Sequence, residues 1–219
     1  VLLVGAEVQS SGLDFSEAGR DVTALFGDGA AAVLLEPSTD DTGIIDFVAQ
    51  SDGVGRNYLY MPAGGSCHPA SHVTVDNRQH FVHQEGPIVF KYAVTNMANV
   101  TVEVMKRNNI TADNLDWFVP HQANMRIIEA VAKQMDLPLD KVMVNIQKYG
   151  NTTSASIPLC LSEWENRLHK GDKAYESINT LIGKLGRENL LTVSPEGIAG
   201  APYDIFSFDG NPAGAAAIA

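Results

Sequence analysis

What most constrains the fold is an alternation in which strand-length apolar runs keep giving way to stretches carrying one apolar helical stripe. "VLLVGAEV" at 1–8 and "GAAAVLLE" at 29–36 are unbroken apolar runs, the pattern of strands covered on both faces. The glycines of "LFGDGA" supply a turn between them. "TGIIDFVAQSDG" reads as another strand ending in a turn. From Gly86 to about Arg107, Phe90, Ala93, Val94, Met97 and Val104 recur at helical spacing and predict a long helix facing a core. "LDWFV" predicts a strand. Residues 124 to 135 predict a second helix, with Ile127, Ile128, Val131 and Met135 within about 100° of arc. "KVMVNI" predicts a short strand, and after "KYGN" a third helix carries Ile157, Leu161, Trp164 and Leu168 on one stripe. Pro158 fits that helix only within its first turn. Strands alternating with helices imply an α/β fold with a mixed, mostly parallel sheet under covering helices. Residues 58 to 77 hold Pro62, Gly64, Gly65 and Pro69 without a sustained period, and read as a long loop.

A chain of 219 residues with 45% apolar content can bury a substantial core, as one large domain or two small ones. Its formal net charge of -11 argues against a nucleic-acid binder, because no basic stripe is present to neutralise several phosphates. No apolar run approaches the roughly 20 residues that cross a bilayer, so no membrane role and a cytoplasmic location are expected. Cys67 and Cys160 stand far apart without metal-type spacing and are read as reduced. His72, His80 and His83 lack Cys or carboxylate partners at ligand spacing, and no metal site is assigned to them. Val1 lies inside what reads as a strand already under way, so a further N-terminal portion is expected upstream.

Two polar groups stand where strands hand over to helices. In "WFVPHQANMRII" the run from Trp117 to Val119 ends at Pro120 and is followed directly by His121, Gln122 and Asn124. In open α/β sheets ligands bind at the carboxyl ends of strands. His121 is therefore either a site residue or, like Gln122, a partner for free backbone groups at the helix start. "KYGNTTSAS" repeats the arrangement, with Asn151 after a glycine turn. Asn, Thr and Ser are also preferred helix N-caps, so one of Asn151, Thr152 or Thr153 must serve that need. Two successive junctions would lie side by side in a parallel sheet. His121 and Asn151 could then direct two hydrogen-bond donors at one point, an arrangement suited to a thioester oxygen turning into an enolate.

"FGDGAAAVLL", "VPHQANMRII" and "YGNTTSASIPLCL" resemble the C-terminal half of the β-ketoacyl-acyl carrier protein synthase III family, the thiolase-like condensing enzymes that start fatty-acid synthesis. The resemblance runs from Val1 to about Lys173. It implies a thiolase-like α/β fold and an acyltransferase that joins an acyl-CoA primer to malonyl-acyl carrier protein by decarboxylative Claisen condensation. By the same resemblance His121 and Asn151 are catalytic and hold the malonyl thioester carbonyl. Gly86, Phe90, Ala123 and Asn124 line the substrate channel, with packing as the rival role for Phe90. Lys91, Arg126 and Lys133 dock the acidic carrier protein. Arg126 and Lys133, seven residues apart, fall about 20° apart on one helix face. The family uses CoA and phosphopantetheine thioesters as substrates, needs no cofactor, and forms homodimers. Its cysteine nucleophile is expected upstream of this chain, since neither Cys67 nor Cys160 matches the nucleophile motif.

The resemblance ends near "KGD". The family continues there with an apolar strand and a glycine-rich turn, whereas "AYESINTLIGKLGRENL" reads as a helix. The chain is accordingly divided into 1–173, the condensing-enzyme half, and 174–219, an unrelated or poorly packed tail. The tail's "DGNPAGAAAIA" reads as the start of a helix, with Asn211 as N-cap and Pro212 at the first helical position. It is weakly similar to a segment of the helical-barrel α-L-fucosidases. Two alternatives to an active condensing enzyme follow. One is a non-catalytic fragment that keeps only the carrier-docking surface, and the other is a chimera with a glycoside hydrolase remnant.

Overall fold

The computed structural model describes residues 1–37, 39, 43–169, 172–177 and 181–184. Strand β1 (Leu2–Glu7) pairs antiparallel with β2 (Gly29–Leu34), in register from Leu2 opposite Leu34 to Glu7 opposite Gly29. Between them lies the short helix α1 (Arg20–Thr23). A second sheet runs β3 (Gly43–Phe47), β8 (Leu181–Lys184), β7 (Lys173–Ser177), β6 (Trp117–Pro120), and a two-residue pairing joins β4 (Leu59–Tyr60) to β5 (His83–Gln84). The helices are α2 (His72–Asp76), α3 (Gly86–Arg107), α4 (Met125–Gln134), α5 (Ile146–Tyr149) and α6 (Ser156–Trp164).

Strand β6 shows why the chain layers as it does. Its side chains alternate across the sheet, so Phe118 and Val119, both wholly buried, face opposite ways. Phe118 joins Val100 and Val104 of α3 and Ile127, Ile128 and Val131 of α4 in one core. Val119 joins Ile157, Cys160 and Leu161 of α6 in another. Each buried Val, Ile or Phe contributes roughly 1.5–3 kcal/mol, and the two cores clamp β6 between helices. At its outer end Trp117 donates to Asp172 at 2.7 Å, and Arg167 lies 5.2 Å over the Trp117 ring and 4.0 Å over that of Trp164.

Helix α3 occupies the predicted span, and α4 matches its predicted span to within a residue, with Asn124 as N-cap and Met135 as C-cap. Pro158 sits in the first turn of α6, where its missing N–H costs nothing. The long 58–77 stretch contains α2, begun by a Ser71–Thr74 capping box.

Four expectations are corrected. The sheet is mixed, but among the described residues only β6–β7 is a parallel ladder, since β8 pairs antiparallel with both β7 and β3. "KVMVNI" forms no strand beyond one parallel bridge, Phe118 opposite Val142, since Asn145 and Ile146 already turn into α5. Residues 173–177 are a strand, not a helix. The open edge of β6 offers a complete backbone ladder from Trp117 opposite Ala174 to Pro120 opposite Ser177, and Ala174 is buried in the α6 core. That strand crosses the 173/174 division, while the predicted helix start at Asn211 and the fucosidase-like segment lie outside the described residues. Finally, β1 is not covered on both faces: Leu2, Leu3 and Val4 are 55–59% exposed, and no described element lies over them.

Candidate active site

The two junctions are locked together by Gln122, a residue the sequence marks only as a possible backbone partner. Its wholly buried carboxamide donates to the Pro120 and Met143 carbonyls at 2.8 and 3.2 Å. Its Oε1 accepts from the Asn145 and Ile146 amides at 3.0 and 3.2 Å, where α5 begins. Gln122 therefore serves the start of α5, the helix that leads into the other junction, and it fuses the end of β6 to the approach to Asn151. Four hydrogen bonds satisfy all its polar capacity.

His121 leaves β6 partly buried. Its Nδ1 lies 2.7 Å from Ser156 Oγ, and burial holds its pKa down at about 4. The ring is therefore neutral near pH 7 and carries one N–H. Ser156 Oγ also lies 2.8 Å from the Thr153 carbonyl. Among the described residues His121 Nε2 has no partner.

Asn151 is fixed by its backbone. Its amide donates to the Leu25 carbonyl at 2.8 Å, and its own carbonyl accepts from Gly27 at 3.0 Å. The preceding Gly150 has φ +68, and a Cβ there would sit 3.1 Å from the Leu25 oxygen. Asn151 Oδ1 accepts from the Thr153 amide at 2.9 Å, and its Nδ2 is a donor with no partner among the described residues. Thr153 itself holds φ 48, a left-handed conformation that is rare for a β-branched residue and is often found at functional sites. Gln9 Nε2 bonds Thr153 Oγ1, and Glu7 Oε1 accepts from the Ser154 amide and hydroxyl at 3.3 and 2.6 Å. The end of β1 and the residues just after it thus brace the turn that strains Thr153. Sequence reasoning misses Glu7, Gln9 and Ser156; the first two stand more than 140 positions from their partners, and no local signal marks them.

The structure links His121 to Asn151 through one short path: imidazole to Ser156, Ser156 to the Thr153 carbonyl, and the Thr153 amide to Asn151. The other predicted site residues lie around α3 and α4. Asn124 Oδ1 caps α4 through the Ile127 amide at 3.0 Å, and Ala123 packs against the α3–α4 core. Gly86 opens α3 with nothing within 4 Å of a Cβ added there, so packing does not demand glycine. Phe90 packs on the same core and lies under the Arg126 guanidinium, 5.1 Å from ring centre to Cζ. Lys91, Arg126 and Lys133 are exposed, the latter two on the face of α4 away from Ile127, Ile128 and Val131. Two of the loop-region histidines have partners: His80 Nε2 is 2.8 Å from Thr74 Oγ1, and His83 is 3.4 Å from Glu85. Cys67 is exposed, whereas Cys160 is wholly buried and its thiol is pushed far up by burial and the nearby Glu163.

A two-faced β6, helices on both sides, and paired His and Asn junctions define a thiolase-like α/β protein. Residues 1–53 match the description 3-oxoacyl-[acyl-carrier-protein] synthase III, and residues 105–176 match its C-terminal domain. The chain belongs to the 3-oxoacyl-[acyl-carrier-protein] synthase III family. It is 53% identical over 172 residues to the β-ketoacyl-[acyl-carrier-protein] synthase III of Porphyromonas gingivalis, covering 78% of this chain and 51% of that protein. With the Koribacter versatilis synthase III it shares 48% over 190 residues, 85% of this chain and 55% of that one. Among solved structures, the Thermus thermophilus synthase III superposes with a TM-score of 0.73 at 33% identity, covering 84% of this chain and 59% of that one. The chain thus spans about half the length of the curated relatives it matches.

Proposed function

We propose that this chain carries the decarboxylation half of a condensing active site, in which His121 Nε2 and Asn151 Nδ2 donate together to the thioester oxygen of a malonyl group. As the bond from Cα to the carboxylate breaks, carbon dioxide leaves and the electron pair moves through Cα onto that oxygen as an enolate. The enolate carbon then attacks an acyl thioester carried on a cysteine and expels the cysteine thiolate. Cys160, buried and held protonated, is unsuited to that role. We place the acylated cysteine outside the residues of this chain. The reaction uses acyl-CoA and a malonyl-acyl carrier protein, calls on no cofactor, and takes place in the cytoplasm in a homodimer. The observation that carries this reading is the unpartnered donor end of Asn151, held by the same Thr153 turn that meets Ser156 and His121.

Gly86, Phe90, Ala123 and Asn124 are assigned to the phosphopantetheine channel, and Lys91, Arg126 and Lys133 to carrier docking. The stacking of Arg126 over Phe90 supports placing the docking surface beside the channel mouth. Among the described residues no helix is long and apolar enough to cross a membrane.

The test is carbon dioxide release from a malonyl thioester, a step that needs no cysteine because solvent can protonate the enolate. His121→Ala and Asn151→Ala should each slow release about 100- to 1000-fold. Release unchanged by both substitutions refutes the assignment. Absence of release, together with carrier binding that Arg126→Ala weakens, supports instead the docking-only fragment, which the Arg126–Phe90 pair equally favours.

A further inference from the structure

The proposed donor role makes a demand on His121 that the ring cannot meet alone. A neutral imidazole has one N–H and one lone pair. To donate from Nε2 it must carry its lone pair at Nδ1, and a buried lone pair is best met by a donor. The group facing Nδ1 is Ser156 Oγ, at 2.7 Å, on a side chain that is 1% exposed. Ser156 has one hydroxyl proton and two places to send it: His121 Nδ1, or the Thr153 carbonyl 2.8 Å away. That carbonyl already accepts from the Ser156 backbone amide. Moving the hydroxyl proton to the imidazole therefore leaves no buried acceptor without a partner.

We infer that Ser156 is a positioning residue that sets the His121 tautomer, donating its hydroxyl to Nδ1 so that the ring proton sits on Nε2 and faces the substrate oxygen. The opposite arrangement, with Nδ1–H donating to Oγ and Oγ–H to Thr153, would satisfy every protein group equally well. It would, however, leave Nε2 a bare lone pair aimed at an oxygen that gathers negative charge. The left-handed Thr153 turn gives Ser156 this position. Because Asn151 holds the Thr153 amide and Ser156 meets the Thr153 carbonyl, one strained residue aligns both donors.

The inference rests on the donor role proposed above, and its first test does not depend on turnover. In the full chain labelled with 15N-histidine, the two ring nitrogens of His121 are read by NMR at pH 7 and assigned by the signals lost in His121→Gln. The unaltered chain should show a single tautomer with the proton on Nε2. Ser156→Thr, which keeps the hydroxyl, should show the same. Ser156→Ala should bring in the Nδ1–H form as a second population. A proton on Nδ1 in the unaltered chain overturns the inference, and so does a Ser156→Ala ring indistinguishable from it. Should Ser156→Ala not fold, the unaltered chain and Ser156→Thr still decide. In the carbon dioxide assay, Ser156→Ala should lower kcat about tenfold with KM unchanged, a loss on the scale of one hydrogen bond, and Ser156→Thr should restore it. If no form of the chain releases carbon dioxide, the proposed function falls, while the nitrogen shifts still judge Ser156.

Discussion

Gly27 and Tyr149 touch backbone to backbone: a Cβ on Gly27 would stand 1.9 Å from the Tyr149 carbonyl oxygen. The glycine turn after α1 and the turn carrying Asn151 are thus two sides of one contact, sealed by the Gly27 amide and the Asn151 carbonyl at 3.0 Å. Gly27→Ala must separate them. We predict a loss of about 3 kcal/mol in stability, within the range of severe overpacking, read as a lower midpoint in urea. Carbon dioxide release should fall further than the residual folded fraction accounts for, because Asn151 moves with its backbone.

Gln122→Ala removes the partner of two amides and two carbonyls around a wholly buried side chain. Each buried group left unpaired costs about 1–3 kcal/mol, so this change should rank among the most destabilising single substitutions in the chain. Gln122→Glu keeps the two acceptor bonds and loses the donors to Pro120 and Met143, and thermal unfolding should place it between Gln122→Ala and the unaltered chain.

Burial of His121 has a pH consequence with a definite sign. The unfolded ring titrates at its ordinary value near 6.5, the folded ring at about 4. Between those values the unfolded chain binds more protons, so stability falls as the pH is lowered from 6.5 toward 4, by at most about 3 kcal/mol from this group. His121→Gln should flatten that part of the stability profile. The carbon dioxide rate should show no inflection from His121 between pH 6 and 8, where the folded ring is already neutral.

Arg126 lies on the solvent face of α4 and covers the Phe90 ring. Arg126→Ala should weaken acyl carrier protein binding about tenfold at low salt and less at high salt. Arg126→Lys keeps the charge and gives up the planar stack, so titration calorimetry should find it intermediate. Equal affinity across the three removes Arg126 from the docking surface.

Helices α3 and α4 are legible in the sequence because an apolar stripe such as Ile127, Ile128 and Val131 is a local signal that tertiary packing then uses unchanged. The polar junctions at His121 and Asn151 are legible for the same reason: turn glycines and an abrupt change from apolar to polar residues mark them in place. Strand β7 is not, since its pairing partner, the free edge of β6, lies more than 50 residues away and its own residues carry a helical pattern. The bracing of Thr153 by Glu7 and Gln9 is hidden by a still longer separation. Gln122 is visible only as a polar residue near a helix start; that it serves α5 and not α4 follows from the Phe118–Val142 bridge between two separate segments, which no stretch of sequence encodes alone.

The most direct test of the account is a crystal structure of the chain with a non-hydrolysable malonyl thioester analogue bound. His121 Nε2 and Asn151 Nδ2 should both lie within about 3 Å of the same thioester oxygen, the reach of a hydrogen bond. An analogue whose oxygen is held by only one of them, or by neither, contradicts the paired-donor site.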